Sequence, residues 1–291
     1  MKILPVAFDS LGTRAMATYI ETDDVKIFID PSVRLAPLRY NLPPHPIEIK
    51  RKDEHWQQIV DLAQGCDIII ITHYHYDHHN PDFPDLFRDK TLIIKHPTEN
   101  INQSQKERAR VFLERIDSQV KKIEIADGKN FNFNDTKIHC SPAVYHGTSH
   151  HLGYVFEVFI ENATEKLLFT SDICGIPDES HLPFIIQNNP DIIICDGPSL
   201  YLKGYRYSDT AWNNSLVHMV KIIHETDVKT LIVDHHLTRD LKYQDYYKEI
   251  EDLLKNANIS REIKLITAAE FVGKQIDLLE ARRKELYKYY R

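Results

Sequence analysis

Apolar residues recur along this chain in two rhythms. Short runs and period-2 alternation mark strands; i, i+3, i+4 spacing marks helices. Residues 1 to 30 read as strands, with Thr13 to Thr22 and Val25 to Asp30 separated by a tight turn at Asp23-Asp24. Pro31 stops the second of these, and residues 31 to 53, with five of the 14 prolines before Lys50, read as an irregular surface segment. Trp56, Ile59, Val60 and Ala63 then share one helical face, and Gly65 suits the cap. Ile68 to Ile71 and Thr91 to Lys95 are buried strands. Ala109, Phe112, Leu113, Ile116 and Val120 predict a helix from about Gln103, with Lys106, Arg108, Arg110 and Arg115 on its outer face. A face of this kind is ordinarily solvated, and contact with phosphate is the less common use.

The second part repeats the order. Lys122 to Cys140 alternates, with turns at Asp127-Gly128 and Asn134-Asp135, and predicts antiparallel strands. Gly153 to Glu161 and Lys166 to Thr170 form another pair. Strand and helix then alternate: Asp191 to Cys195, a helix from Ser208 to His224, Thr230 to Val233, a helix from Asp240 to Asn256, and Ile263 to Ile266. A last helix runs from Ala268 into a basic and aromatic end. Two halves that open with strands and close with helix-strand units imply an α/β protein with two mixed sheets packed between helices. We expect a single domain over residues 1–291.

Composition narrows the class. With 42% hydrophobic and 27% charged residues the chain reads as soluble and globular, with no apolar run of membrane-spanning length. The apolar stretch Ile3 to Phe8 is too short for a secretory signal. Cys66, Cys140, Cys174 and Cys195 are widely spaced beside apolar runs, so free buried thiols in the cytoplasm are expected. A net charge of −7 argues weakly against a large nucleic-acid footprint, although a sum hides any local basic patch.

Candidate chemistry concentrates where the isoleucine strand ends, in Thr72-His73-Tyr74-His75-Tyr76-Asp77-His78-His79. His-x-His-x-Asp-His is a metal-ligand spacing, because imidazole and carboxylate suit borderline ions such as zinc. Alternation sends His73 and His75 to one side to share an ion, while Asp77 and His78 lie past the bend, free for a second. This loop resembles the signature of the metallo-β-lactamase superfamily of dinuclear hydrolases. The opening text, Met1 to Pro5 and Leu35 through Pro46, further resembles an uncharacterised, mainly archaeal branch of predicted hydrolases.

The resemblance implies an αββα sandwich with the metal site at one edge, two Zn2+ per chain with Mn2+ or Fe2+ as other admissible ions, and a metal-bridged hydroxide. Asp30 takes the place of an aspartate that hydrogen-bonds the metal loop, although a plain turn aspartate reads equally well. His146, in Tyr145-His146-Gly147-Thr148, matches the third motif, with His150 and His151 as rivals. Asp172, after Leu168-Phe169-Thr170-Ser171, matches the aspartate that bridges both ions; Ser171 replaces the usual glycine. His235, four residues before Arg239, matches the terminal motif of ribonuclease Z-like members, with His236 its rival because strand alternation would separate the two. The expected set is His73, His75 and His146 on one ion, Asp77, His78 and His235 on the other, and Asp172 shared.

Four further roles complete the expectation. Asp77 would also orient the hydroxide. Asp196, at another strand end, would relay a proton or simply form a turn. His236 and Arg239 compete for similar duties, Arg239 as a planar fork for substrate oxygens that leaves metal binding alone. Tyr201, Tyr205 and Tyr207 would floor a pocket or cover the core. The reading is a dinuclear zinc hydrolase acting on a phosphodiester or small nucleic acid. Lactone or thioester hydrolysis, or a mononuclear iron dioxygenase, are the alternatives; oligomeric state is left open.

Overall fold

A computed structural model describes residues 1–289 of the chain. In the first sheet β1 (Lys2–Phe8), β2 (Met16–Glu21) and β3 (Lys26–Ile29) pair antiparallel, and β4 (Ile68–Ile71), β5 (Thr91–Ile94) and β6 (Lys122–Ile125) continue parallel. The second sheet contains β7 (Asn130–Phe133), β8 (Thr136–Cys140), β11 (Val158–Glu161), β12 (Lys166–Phe169), β13 (Ile192–Asp196), β14 (Thr230–Asp234) and β15 (Lys264–Ile266). Its last four strands are parallel and the rest antiparallel. The two-stranded ribbon of β9 (Val144–Tyr145) and β10 (Tyr154–Val155) stands apart from both.

Strand alternation builds the layers. Ile27, Ile29, Ile68 and Ile70 pack in one buried cluster with Ile138, Val158, Ile160, Phe169 and Ile194 of the other sheet. Their neighbours Phe28, Ile69 and Ile71 belong instead to an outer cluster with Ile59 and Ala63 of α1 (Pro46–Gln64) and Phe112 of α2 (Gln103–Ile116). On the far side, Leu168, Ile193 and Leu231 pack with α3 (Leu182–Asn188), α4 (Asp209–Glu225) and α5 (Tyr243–Asn256). Helices therefore cover both outer faces of two stacked sheets, which is the expected αββα sandwich. Among the described residues no helix is long and apolar enough to cross a membrane.

Several boundaries differ from expectation for identifiable reasons. The proline-rich segment becomes helical at Pro46, well before Trp56, because His45 and Glu48 form a capping box and proline is favoured in the first turn. β6 joins the first sheet in parallel rather than forming a hairpin. Its alternation is that of any half-buried strand, so pattern alone could not assign its partner. Gly153 to Glu161 is two short strands, broken at Phe156-Glu157. The last helix is also split: α6 (Ala268–Phe271) ends before Gly273, which adopts φ 66°, and α7 (Arg283–Tyr289) follows a loop.

Candidate metal centre

The site forms where parallel strands of both sheets end, the position at which open α/β sheets ordinarily carry their ligands. Asp30 follows β3, the histidine loop follows β4, Asp172 follows β12, Asp196 ends β13 and His235 follows β14. His146 arrives from β9. The backbone is bent sharply here: Asp30 (φ 49°), Ser171 (φ 61°), Cys174 (φ 51°), Ile176 (φ 59°) and His235 (φ 58°) all take left-handed conformations. Each non-glycine residue in that region costs about 1–3 kcal/mol, and such strain gathers where side chains must be aimed. Ser171 thus makes the turn glycine would make. It also gains a partner, its hydroxyl lying 2.6 Å from that of Thr72.

The aimed side chains converge on Asp172. Its Oδ2 lies 2.8 Å from His146 Nε2, 3.6 Å from His73 Nε2, 3.6 Å from His78 Nε2 and 3.8 Å from His75 Nδ1. Its Oδ1 lies 3.8 Å from His235 Nε2, which is in turn 3.9 Å from Asp77 Oδ2. His73, His75, His146 and Asp172 offer ligand atoms within 4.8 Å of one another, and so, separately, do Asp77, His78 and His235. A cation about 2 Å from each ligand holds its ligand atoms about 3–4 Å apart, a spacing that the contacts of Asp172 Oδ2 with His73, His75 and His78 already show. Among the described residues, His73 Nε2 and His78 Nε2 are buried without a hydrogen-bond partner, an arrangement costly unless a cation is the partner.

Electrostatics point the same way. Burial pushes Asp172 upward, but His146 and His236 more than reverse this and hold it well below the carboxylate range. Burial likewise raises Asp77, and His78, His235 and Arg239 pull it down on balance. Burial depresses His78, yet Asp30 and Asp172 lift it well above an ordinary imidazole. The carboxylates thus create a strong demand for positive charge. Burial, against a smaller lift from Asp172, lowers His75 to about 4; burial and His78 hold His73 well below an ordinary imidazole, so both hold the neutral form that ligates metals.

Carboxylates behind the ligands fix their orientation. Asp30 accepts from Thr72 N (2.8 Å) and Thr72 Oγ1 (2.6 Å), and lies 2.8 Å from His78 Nδ1. That contact places the His78 proton on Nδ1 and frees Nε2 for an ion. Asp9 lies 2.7 Å from His235 Nδ1 and fixes that proton in the same way, while Arg239 rests against the Nε2 side of the ring. Sequence reading missed Asp9, since its only local signal was an acid at the end of a strand. Ser10 N donates to Asp234 Oδ1 at 3.0 Å, which draws the Asp9 turn beside β14 across 224 positions of chain.

The remaining expected residues are placed as follows. His235 and His236 both approach Asp172, so strand alternation does not separate them; β14 ends at Asp234, and the left-handed turn at His235 redirects the chain. His236 Nδ1 lies 3.0 Å from Asp172 Oδ1 and from both oxygens of Asp196. Buried Asp196 also accepts from Cys174 N and His236 N. Arg239 is not an open fork on the rim. It is only 3% exposed, its Nε donates to Asp9 Oδ1 at 2.9 Å, and one Nη lies 3.0 Å from His235 Nε2. His150 and His151 stack on each other, exposed, while His146 is buried against Asp172. Tyr207 is buried with its hydroxyl on Cys174 O, Tyr201 stacks on Arg39, and Tyr205 is exposed. His79, last in the loop, turns away: it packs on Tyr74 and Phe112 and places Nδ1 2.9 Å from His75 O.

Fold and site together define a metallo-β-lactamase-type protein. The family model described as beta-lactamase superfamily domain matches residues 26–236. The chain belongs to the UPF0282 family within that superfamily: it is 46% identical to the UPF0282 protein of Korarchaeum cryptofilum over 293 aligned positions, covering 100% of this chain and 95% of the relative. Two solved structures share the fold at low identity. Unliganded yeast PDE1 aligns with a TM-score of 0.57 at 14% identity, covering 91% of this chain and 97% of its own. The metallo-beta-lactamase fold protein YhfI from Bacillus subtilis aligns at 0.53 and 14%, covering 91% and 95%. Proteins of this fold bind divalent metals, and the His/Asp clusters here could hold such ions.

Proposed function

We propose that the protein is a dinuclear zinc-dependent hydrolase of phosphodiesters. The observation that carries this reading is the set of overlapping ligand groups around Asp172, from which we assign His73, His75 and His146 to one ion and Asp77, His78 and His235 to the second; Asp172, Asp196, His235 and His236 form a further such group. A full second group argues for two ions over the single iron of a dioxygenase. Two such cations when bound supply Lewis acidity and a hydroxide near neutral pH.

The chain's own residues do the rest. Asp30 and Asp9 hold His78 and His235 in the ligating tautomer. Asp77 orients the nucleophile as well as holding an ion. Asp196 positions His236, which remains slightly exposed and can pass a proton to a leaving group. Phosphodiesters are favoured over lactones or thioesters because an open groove of about 770 Å³, which His75 and Asp77 line, also carries Arg14, Arg34, Arg108 and Arg115. Four free, buried cysteines support a reducing, cytoplasmic location.

The test is a substrate panel on zinc-loaded protein: an activated phosphodiester, a lactone and a thioester. Phosphodiester turnover that disappears with chelation and in Asp172→Ala is the expected result. Lactone or thioester turnover without any phosphodiester turnover would transfer the assignment to the alternative.

A further inference from the structure

The arginines of the groove are not equivalent. Arg14 is a bidentate partner of Glu280, at 2.5 and 2.6 Å. Arg115 binds Asp82 and the Pro81 carbonyl. Arg34 donates to Tyr76 O at 3.2 Å and to Asn80 Oδ1 at 3.4 Å, with Asp82 at 3.9 Å. The Arg108 side chain, by contrast, has no carboxylate partner and no hydrogen bond among the described residues; it lies over the Tyr76 ring, 4.8 Å from its centroid. A guanidinium stacked in this way keeps its five N–H groups in the plane of the fork and available.

Helix geometry explains why Arg108 stands alone. Residues 108, 111 and 115 follow i, i+3, i+7 spacing, and Arg108, Val111 and Arg115 all line the groove. Arg110, on another face of α2, pairs with Glu107 and Glu114. The charged face read from the sequence is therefore two faces: one closed on its own acids, one turned toward the candidate site. Tyr76, which supports both Arg108 and Arg34, stands between His75 and Asp77 in the chain. A side chain anchored on Tyr76 lines the same groove as the expected ligands His75 and Asp77.

We infer that Arg108, with Arg34 and the Tyr76 ring, is a specificity-determining subsite that binds a second anionic oxygen group of the substrate, away from the bond that is cut. This rests on the hydrolase reading for the role of the metal end, and it narrows the substrate to molecules with anionic groups at two places. Phosphate and carboxylate share the required chemistry. Set against Asp77, Asp82 and the Glu280 that holds Arg14, the groove's four arginines leave one positive charge in surplus for either, in a protein whose overall charge is −7.

The test measures binding separately from turnover. Calorimetric titration of zinc-loaded protein would use methylphosphonate, an α,ω-alkanediphosphonate and an ω-phosphonocarboxylate of matched length. Arg108→Ala should weaken the two doubly anionic probes by about 10–100-fold, the loss of a charge-assisted contact, and leave methylphosphonate unchanged. Arg108→Lys should restore part, and Arg110→Ala should do nothing. The probe that loses more identifies phosphate or carboxylate as the distal group. Equal affinities in wild type and Arg108→Ala would overturn the subsite even if esters are hydrolysed. A selective loss in a protein that hydrolyses no ester would keep the subsite and overturn the hydrolase reading.

Discussion

His235 and His236 are neighbours in sequence and both face Asp172 Oδ1, at 3.8 and 3.0 Å, but their other partners differ. His235 rests on Asp9 and Arg239, whereas His236 rests on Asp196. His235→Ala should therefore lower bound metal from about two ions to about one, and His236→Ala should keep both while slowing turnover; elemental analysis beside kinetics checks this, and the opposite pattern would exchange the two assignments. Arg239→Ala, expected from sequence to spare metal binding, should instead weaken it, because Arg239 and His235 share Asp9. Glu157 presents a different case. Its side chain is fully buried with neither carboxyl oxygen hydrogen-bonded among the described residues, and burial raises it well above 4.5. The unfolded chain releases this proton near 4.5 and the folded chain only much higher. Stability from this group is thus present at low pH and lost as pH rises, by up to about 1.4 kcal/mol per unit. Glu157→Gln should remove that loss, so its advantage over wild type in urea unfolding should grow between pH 5 and pH 8. An advantage that stays constant across that range would mean the carboxyl is not protonated in the fold.

At the scale of elements, the C-terminal part of the chain locks the N-terminal helix. Arg283 at the start of α7 binds both oxygens of Glu48 in the first turn of α1, each at 2.8 Å, and both residues are completely buried. Glu48 also accepts from His45 N, so the pair ties a helix cap to a distant helix. Removing one member leaves an uncompensated charge without water. Arg283→Ala should cost about 3–5 kcal/mol in chemical unfolding, whereas Arg110→Ala, on the exposed face of α2, should leave the unfolding midpoint almost unchanged. A loss at Arg283 as small as that at Arg110 would show that the buried pair contributes no more than a surface one.

For the whole molecule, the site joins loops from both sheets, so a bound cation is a cross-link of the fold. His73, His75, Asp77 and His78 come from the first sheet, and Asp172 and His235 from the second. Metal that binds only the folded state stabilises it in proportion to occupancy, by about 2.7 kcal/mol at a hundredfold excess over Kd. Elemental analysis should find about two ions per chain. Chelation should lower the unfolding temperature, and zinc should restore it. A single ion, with no gain at the second group after zinc addition, would refute the dinuclear arrangement.

The sequence by itself determined what local physics controls. The uninterrupted apolar run Ile68 to Ile71 marked a buried strand, though not which of its residues face the other sheet, and the His73-to-His78 spacing marked a ligand loop because a strand end gives fixed directions. Tertiary structure alone decided the rest. Asp9 reaches His235 across 226 positions, and nothing near Asp9 in the sequence distinguishes it from a turn former. Arg239 became a buried partner of Asp9, and Arg108 an unpaired guanidinium over Tyr76, through the docking of loops and α2. β6 joined the first sheet, although its alternation suits either. Periodicity specifies the face a residue shows; its partner is set by the closure of distant loops, whose entropy and packing leave no periodic trace.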